Sequence, residues 1–253
     1  MNRHRFALRA GAWHFLGSCF IAVVAAIVVF VFWYPPPYST IAGGLILFSL
    51  LVLVDVVLGP LLTVIVASPA KSKIELGRDI ALIVVVQLAA LGYGLHTIAL
   101  ARPVLLSFEI DRFRVVSAAD INSELLSQAP LGLRELSWSG PRLIAAVKSA
   151  NKDDMMKSVE SALSGFDIST MPRNWRDFPS QSDAAWRAAR PVSVLLVRYP
   201  QAAPDVAAVA ATKGTPIDQI RFLPVLSRKA SWVALVVSPD AQIVGFLPLE
   251  GFF

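Results

Sequence analysis

Histidine and cysteine are nearly missing from this sequence. The histidines are His4, His14 and His96 and the single cysteine is Cys19, so neither type occurs from residue 103 to 253. That stretch therefore has no imidazole base for serine or cysteine catalysis and no His/Cys set for zinc. It also has no thiols with which to form disulfides, even in an oxidising compartment.

Charge is missing just as selectively. No Asp, Glu, Lys or Arg lies between Arg9 and Asp55, between Asp55 and Lys71, or between Asp79 and Arg102. Hydrophobic residues make up 55% of the chain and charged ones 16%, and the apolar excess is concentrated in those three gaps. The net charge of +5 is not gathered into a Lys/Arg stripe, which argues against nucleic acid as a partner.

Three apolar runs, at about 12–32, 41–67 and 80–100, each reach the roughly 20 residues that a helix needs to cross a bilayer. Lipid-embedded backbone must satisfy its own hydrogen bonds, which makes helices the expected form. Pro35, Pro36 and Pro37 break the chain between the first two spans. Arg3, Arg5 and Arg9 precede the first span and Lys71, Lys73 and Arg78 follow the second, whereas the loop from Trp33 to Thr40 carries no charge. The positive-inside rule then puts the N-terminus in the cytoplasm of a bacterial inner membrane, and an odd number of spans exports residues 103–253 to the periplasm. Trp33 and Tyr34 are expected as interfacial anchors at the outer end of the first span, with Trp13 and His14 near its inner end. The long apolar run and the bulky Trp-Tyr-Pro exit read as a retained span, not a cleaved signal peptide.

The predicted fold is thus an all-α, three-helix membrane region, 1–102, followed by a periplasmic α+β domain, 103–253, with antiparallel strands. Alternating residues predict a hairpin from Val104 to Ile110 and Phe113 to Val116. Asp120 is the expected N-cap of a helix from Ile121 to Gln128 ended by Pro130. A strand is expected from Leu143 to Val147 and an amphipathic helix from Asp153 to Leu163, closed by Gly165. An irregular loop with Trp175 and Phe178 is expected over 170–182, and further helices over Asp183 to Ala189 and Pro204 to Thr212. A meander is expected over Ile220 to Leu226, Ser231 to Val237 and Gln242 to Leu247.

Chemistry-bearing candidates are few. Glu109 with Asp111, and Asp153 with Asp154, read as turn and helix-start charges. Asp55 differs, because a carboxylate in the middle of an apolar span is costly and normally faces protein or water. It either fixes the bundle, for example near Gln87 or Tyr93, or contacts a partner helix or acts as a protonatable switch. No second acid lies within a span, which excludes an aspartyl protease dyad, and three short-looped spans make no repeated transport pathway. Gly59 and Pro60 should loosen or kink the second span, and the pairs Ala22/Ala26 and Ala90/Gly94 permit close helix approach. No catalytic, cofactor-binding or metal-binding residue is expected.

The sequence resembles the TfpX/TfpZ-type type IV pilin accessory proteins, most strongly from Trp33 to Phe113. The resemblance rests on Trp33 to Pro36 (WYPP), Asp55 to Thr63 (DVVLGPLLT), Pro69 to Lys71 (PAK) and Glu75 to Asp79 (ELGRD). It continues through Gln87 to Gly94 (QLAALGYG), Arg102-Pro103, Asp111 to Phe113 (DRF) and Ser139 to Pro141 (SGP). It implies a chaperone-like inner-membrane protein of a Gram-negative bacterium, without catalytic residues or cofactor. Such a protein stabilises a cognate type IV major pilin or modulates its assembly into pili, with membrane lipid and other pilus assembly proteins as further partners. The chain is not itself a pilin, since it has three spans and lacks a processing site at the first. The alternatives are a pilin-modifying enzyme such as a glycosyltransferase and a periplasmic sensor subunit.

Overall fold

A computed structural model describes residues 3–148, 168–228 and 230–253. The chain divides into two units, Met1–Ala101 and Arg102–Phe253.

The first unit holds three helices long and apolar enough to cross a membrane. Helix α1 runs over Arg3–Ile27 and continues into a π-helical stretch, Val28–Trp33. Helix α2 is composite: α-helical over Gly44–Val52, π-helical over Leu53–Leu58, and α-helical again over Gly59–Val66. Helix α3 is Lys73–Ala101. All three match the expected spans in number and order, and their ends differ for local reasons. Helix α1 starts before the apolar run because Arg5, Ala7, Leu8 and Arg9 are good helix formers. Helix α2 starts after Ile41 because Gly43, at φ 76°, takes a left-handed conformation that ends the preceding turn. Helix α3 starts at Lys73 through a reciprocal cap. The Glu75 amide donates to Ser72 Oγ at 3.2 Å and the Ser72 amide to Glu75 Oε2 at 2.9 Å, the Ser-x-x-Glu pattern of a capping box.

At the end of this unit nearest the three prolines the helices close tightly. Ala25, Val29, Tyr34, Phe48, Leu51 and Ile98 form one buried cluster. Gly44 lies under the Tyr34 ring and Gly94 under Leu51, so closely that a Cβ at either would overlap those side chains. At the opposite end Gly11 of α1 lies against Val64 of α2 in the same way, the close approach that small residues allow between membrane helices.

The second unit is built on a mixed sheet. Its strands are β1 (Pro103–Glu109), β2 (Arg112–Ser117), β3 (Arg142–Ala146), β4 (Trp175–Asp177), β5 (Arg190–Pro191), β6 (Arg221–Leu226), β7 (Ser231–Val237) and β8 (Gln242–Leu247). Among the described residues the order is β4-β3-β1-β2-β6-β7-β8, with β5 pairing β6. The hairpin β1/β2 and the meander β6/β7/β8 are antiparallel, as their alternation and turns predict. Two pairings are parallel, β1 with β3 and β2 with β6. Helices α4 (Ser182–Ala188), α5 (Val192–Arg198) and α6 (Ala203–Lys213) complete the α+β fold. Val192, Leu195, Val206 and Ala210 from α5 and α6 pack with Phe222, Val233 and Leu235 of the sheet, while Trp175 packs with Val104, Leu105 and Ile144.

The helix expected over Ile121 to Gln128 is instead a pair of 3₁₀ turns, Ala118–Asp120 and Ser123–Gln128. Ser117, not Asp120, is the first cap. The Asp120 carboxylate accepts from the Ser117 amide at 3.0 Å, and Asn122 caps the second turn by accepting from the Glu124 amide at 2.9 Å. Two capping residues this close divide the segment before an α-helix can propagate. The helix expected over Asp153 to Leu163 lies outside the described residues.

Candidate functional site

Asp55 sits within the π-helical stretch of α2 and is 8% exposed. Its neighbours follow from a backbone consequence of Pro60. In π geometry a carbonyl accepts from the amide five residues on, and for Asp55 that nitrogen belongs to Pro60, which carries no hydrogen. The Asp55 carbonyl is satisfied from α3 instead, by Gln87 Nε2 at 2.9 Å. Gly59 makes room for this contact, because a Cβ there would overlap the Gln87 amide. Pro60 removes one donor, Gly59 clears a path, and Gln87 supplies the replacement.

Gln87 is thus committed to the Asp55 main chain, and the Asp55 carboxylate gains nothing from it. Among the described residues, both carboxylate oxygens and Gln87 Oε1 are buried without a hydrogen-bond partner. With the carboxyl ionised all three are acceptors, so the polar centre of the helical unit around Asp55 and Gln87 has an excess of acceptors over donors.

Asp55 and Gln87 are among the residues that line a cavity of about 430 Å³ within the three-helix unit. Helix α1 lines it with small residues, Ala10, Gly17, Ser18, Ala22 and Ala25, with the larger Trp13 and Ile21, and with His14, whose Nδ1 lies 2.5 Å from Thr63 Oγ1 of α2. Helix α3 contributes Ile80, Val84, Leu88 and Leu91. The cavity wall is otherwise largely apolar, so it can hold an apolar body that presents a polar group to Asp55.

The structure brings Asp55, Gly59, Pro60 and Gln87 together as one cluster. Tyr93 stands apart, 75% exposed on α3. Tyr34, expected at an interface, is instead fully buried, and its hydroxyl donates to the Ile98 carbonyl at 3.0 Å. It closes the bundle and does not face lipid; Trp33 beside it is half-buried. His14, Ser18 and Thr63 were not singled out as site residues. Their signal was the four-residue spacing of His14 and Ser18 along one helical face. In the second unit the Glu109 carboxylate is buried and accepts from the Ser169 amide at 2.8 Å and from its hydroxyl. Asp111 pairs with the adjacent Arg112 at 2.8 Å, and Asp153 with Asp154 lies outside the described residues. Among the described residues no three His, Cys, Asp or Glu side chains cluster to hold a metal.

A family model described as fimbrial assembly protein FimB matches residues 2–43. Over 255 residues the chain is 33% identical to the fimbrial assembly protein, serogroup I, of Dichelobacter nodosus, covering 100% of this chain and 99% of that one. The chain belongs to this family of fimbrial assembly proteins. The serogroup E1 protein of the same organism is also 33% identical, over 258 residues covering 100% of this chain and 99% of that one. The protein of serogroups C1 and C2 is 44% identical over 131 residues, which is 51% of this chain and all of that relative. No solved structure matches.

Proposed function

We propose that this chain is a non-enzymatic membrane accessory protein of TfpX/TfpZ type, which stabilises its cognate type IV major pilin or modulates its assembly into pili. The observation that carries this reading is the full-length 33% identity to fimbrial assembly proteins. The fold supports it physically. Before assembly such a client has one apolar helix in the membrane and a head outside it. This chain offers a three-helix unit with a partly open cavity for the first and a separate α+β unit for the second.

In this reading the chain sits in the bacterial inner membrane. Arg3, Arg5, Arg9, Lys71, Lys73 and Arg78 hold one side in the cytoplasm, and the α+β unit lies in the periplasm. A reporter active only after export, fused after Phe253, should be active; activity confined to a cytosolic reporter would sink the arrangement. Deleting the gene should lower pilin level or piliation, and isolation of the full chain in mild detergent should bring pilin with it. Unchanged piliation together with no co-isolated pilin would end the proposal.

A further inference from the structure

We propose that the acceptor cluster at Asp55 recognises a membrane-spanning helix of another chain through a hydrogen-bond donor which that helix carries at mid-bilayer depth. The ligand class is an apolar helix bearing one ammonium, guanidinium, imidazole N–H, amide or hydroxyl group. For the identity of the chain that carries the helix, this rests on the pilin reading above.

Three observations lead to a helix and to a donor. First, Asp55 Oδ1, Asp55 Oδ2 and Gln87 Oε1 are buried acceptors without partners among the described residues. A carboxylate so placed in an apolar span is costly, and a group that donates to it offsets that cost. Two nearby donor groups are engaged elsewhere: Gln87 Nε2 is held on the Asp55 carbonyl by the Gly59–Pro60 arrangement, and His14 Nδ1 lies against Thr63 Oγ1.

Second, depth selects the source of the donor. Asp55 lies midway between Gly44 and Val66, so at about 1.5 Å per residue it is about 16 Å from either end of its span. Lipid headgroups, which carry the donors of the bilayer, stay at the interface, and acyl chains have none. A helix brings a side-chain donor to that depth while satisfying its own backbone.

Third, the cavity suits a helix surface. The α1 wall sets Ala10, Gly17, Ala22 and Ala25 beside the larger Trp13 and Ile21, and the small residues let another backbone come close at those positions. These small residues would mean little alone; Asp55, which lines the same space and carries a buried, unpartnered carboxylate, gives them a ligand to admit.

The test uses the full-length chain in the membranes of cells that make the pilus, with a photoreactive phenylalanine at Val84, which lines the cavity. Illumination should capture a protein whose labelled segment is an apolar helix with a donor-bearing residue within one turn of mid-span. Asp55→Leu, compared at equal chain level, should reduce that adduct about tenfold or more, the loss of one buried charge-assisted contact. Asp55→Asn keeps one acceptor and should retain more adduct than Asp55→Leu; should the Leu chain fail to accumulate, a reduced yield with Asn still decides. Adducts with lipid alone, or a yield indifferent to both substitutions, would overturn the inference. Pilin captured equally by Asp55→Leu would overturn the inference and leave the pilin reading standing. A donor-bearing helix from a protein other than pilin would do the reverse.

Discussion

Glu109 in the sheet unit and Asp55 in the helical unit are buried to nearly the same degree, 7% and 8% exposed, yet their surroundings differ. Glu109 receives the Ser169 amide and hydroxyl, and Ser169 in turn accepts from Trp175 Nε1 at 2.7 Å. Asp55 has no such shell among the described residues. A charge whose hydrogen bonds are all met within its own fold contributes to a self-sufficient core. A charge that the fold positions and leaves without donors belongs to a surface completed by something else. Glu109 reads as part of a finished core, although Ser107 Oγ in the same unit is buried without a partner among the described residues, and Asp55 reads as one half of an interface.

The largest effect should come from undoing the satisfied side. Trp175 is fully buried and holds Ser169 in place, so Trp175→Ala should cost about 3–5 kcal/mol, seen as early protease cleavage of the sheet unit in a urea series on the full chain. Glu109→Leu and Asp55→Leu should then move stability in opposite directions. The first strands the Ser169 donors and should destabilise by about 1–3 kcal/mol. The second removes an uncompensated carboxylate and should stabilise the helical unit in detergent by on the order of 2 kcal/mol. Denaturation midpoints of both variants check the signs, and destabilisation by Asp55→Leu would break the comparison.

Smaller effects sharpen it. Tyr34→Phe removes the hydroxyl that donates to Ile98 and should cost about 0.6–1.5 kcal/mol at the closed end of the bundle, measured by thermal unfolding in detergent. Asp79→Asn breaks the 2.7 Å pair with Lys71. Both side chains are about a third exposed, so the expected change is under about 0.5 kcal/mol and should vanish in high salt.

Legibility in the sequence followed the range of the forces involved. The three apolar helices could be read because lipid admits few charges over a helix length, while their ends could not, since Ser72–Glu75 capping acts outside the third run and the Gly43 turn cuts into the second. Hairpin and meander followed from local alternation. The parallel pairs, Leu105 with Arg142 and Phe113 with Val225, join distant segments and leave no local mark. Helix α5 hides in the valine-rich run Val192 to Val197, where the strand preference of valine is overridden by packing of Val192 and Leu195 into the core. Asp55 announced itself as a charge in an apolar span, and Gln87 was a correct neighbour. That Gln87 would bind the main chain and leave the carboxylate unpartnered required the π-helical register.

The most direct measurement is the amount of pilin co-isolated with the full-length chain from mildly solubilised membranes, for the unmodified protein and for Asp55→Leu. The account predicts that the Asp55→Leu chain accumulates in the membrane at a normal level and carries little or no pilin. An Asp55→Leu chain that brings down as much pilin as the unmodified one would contradict it.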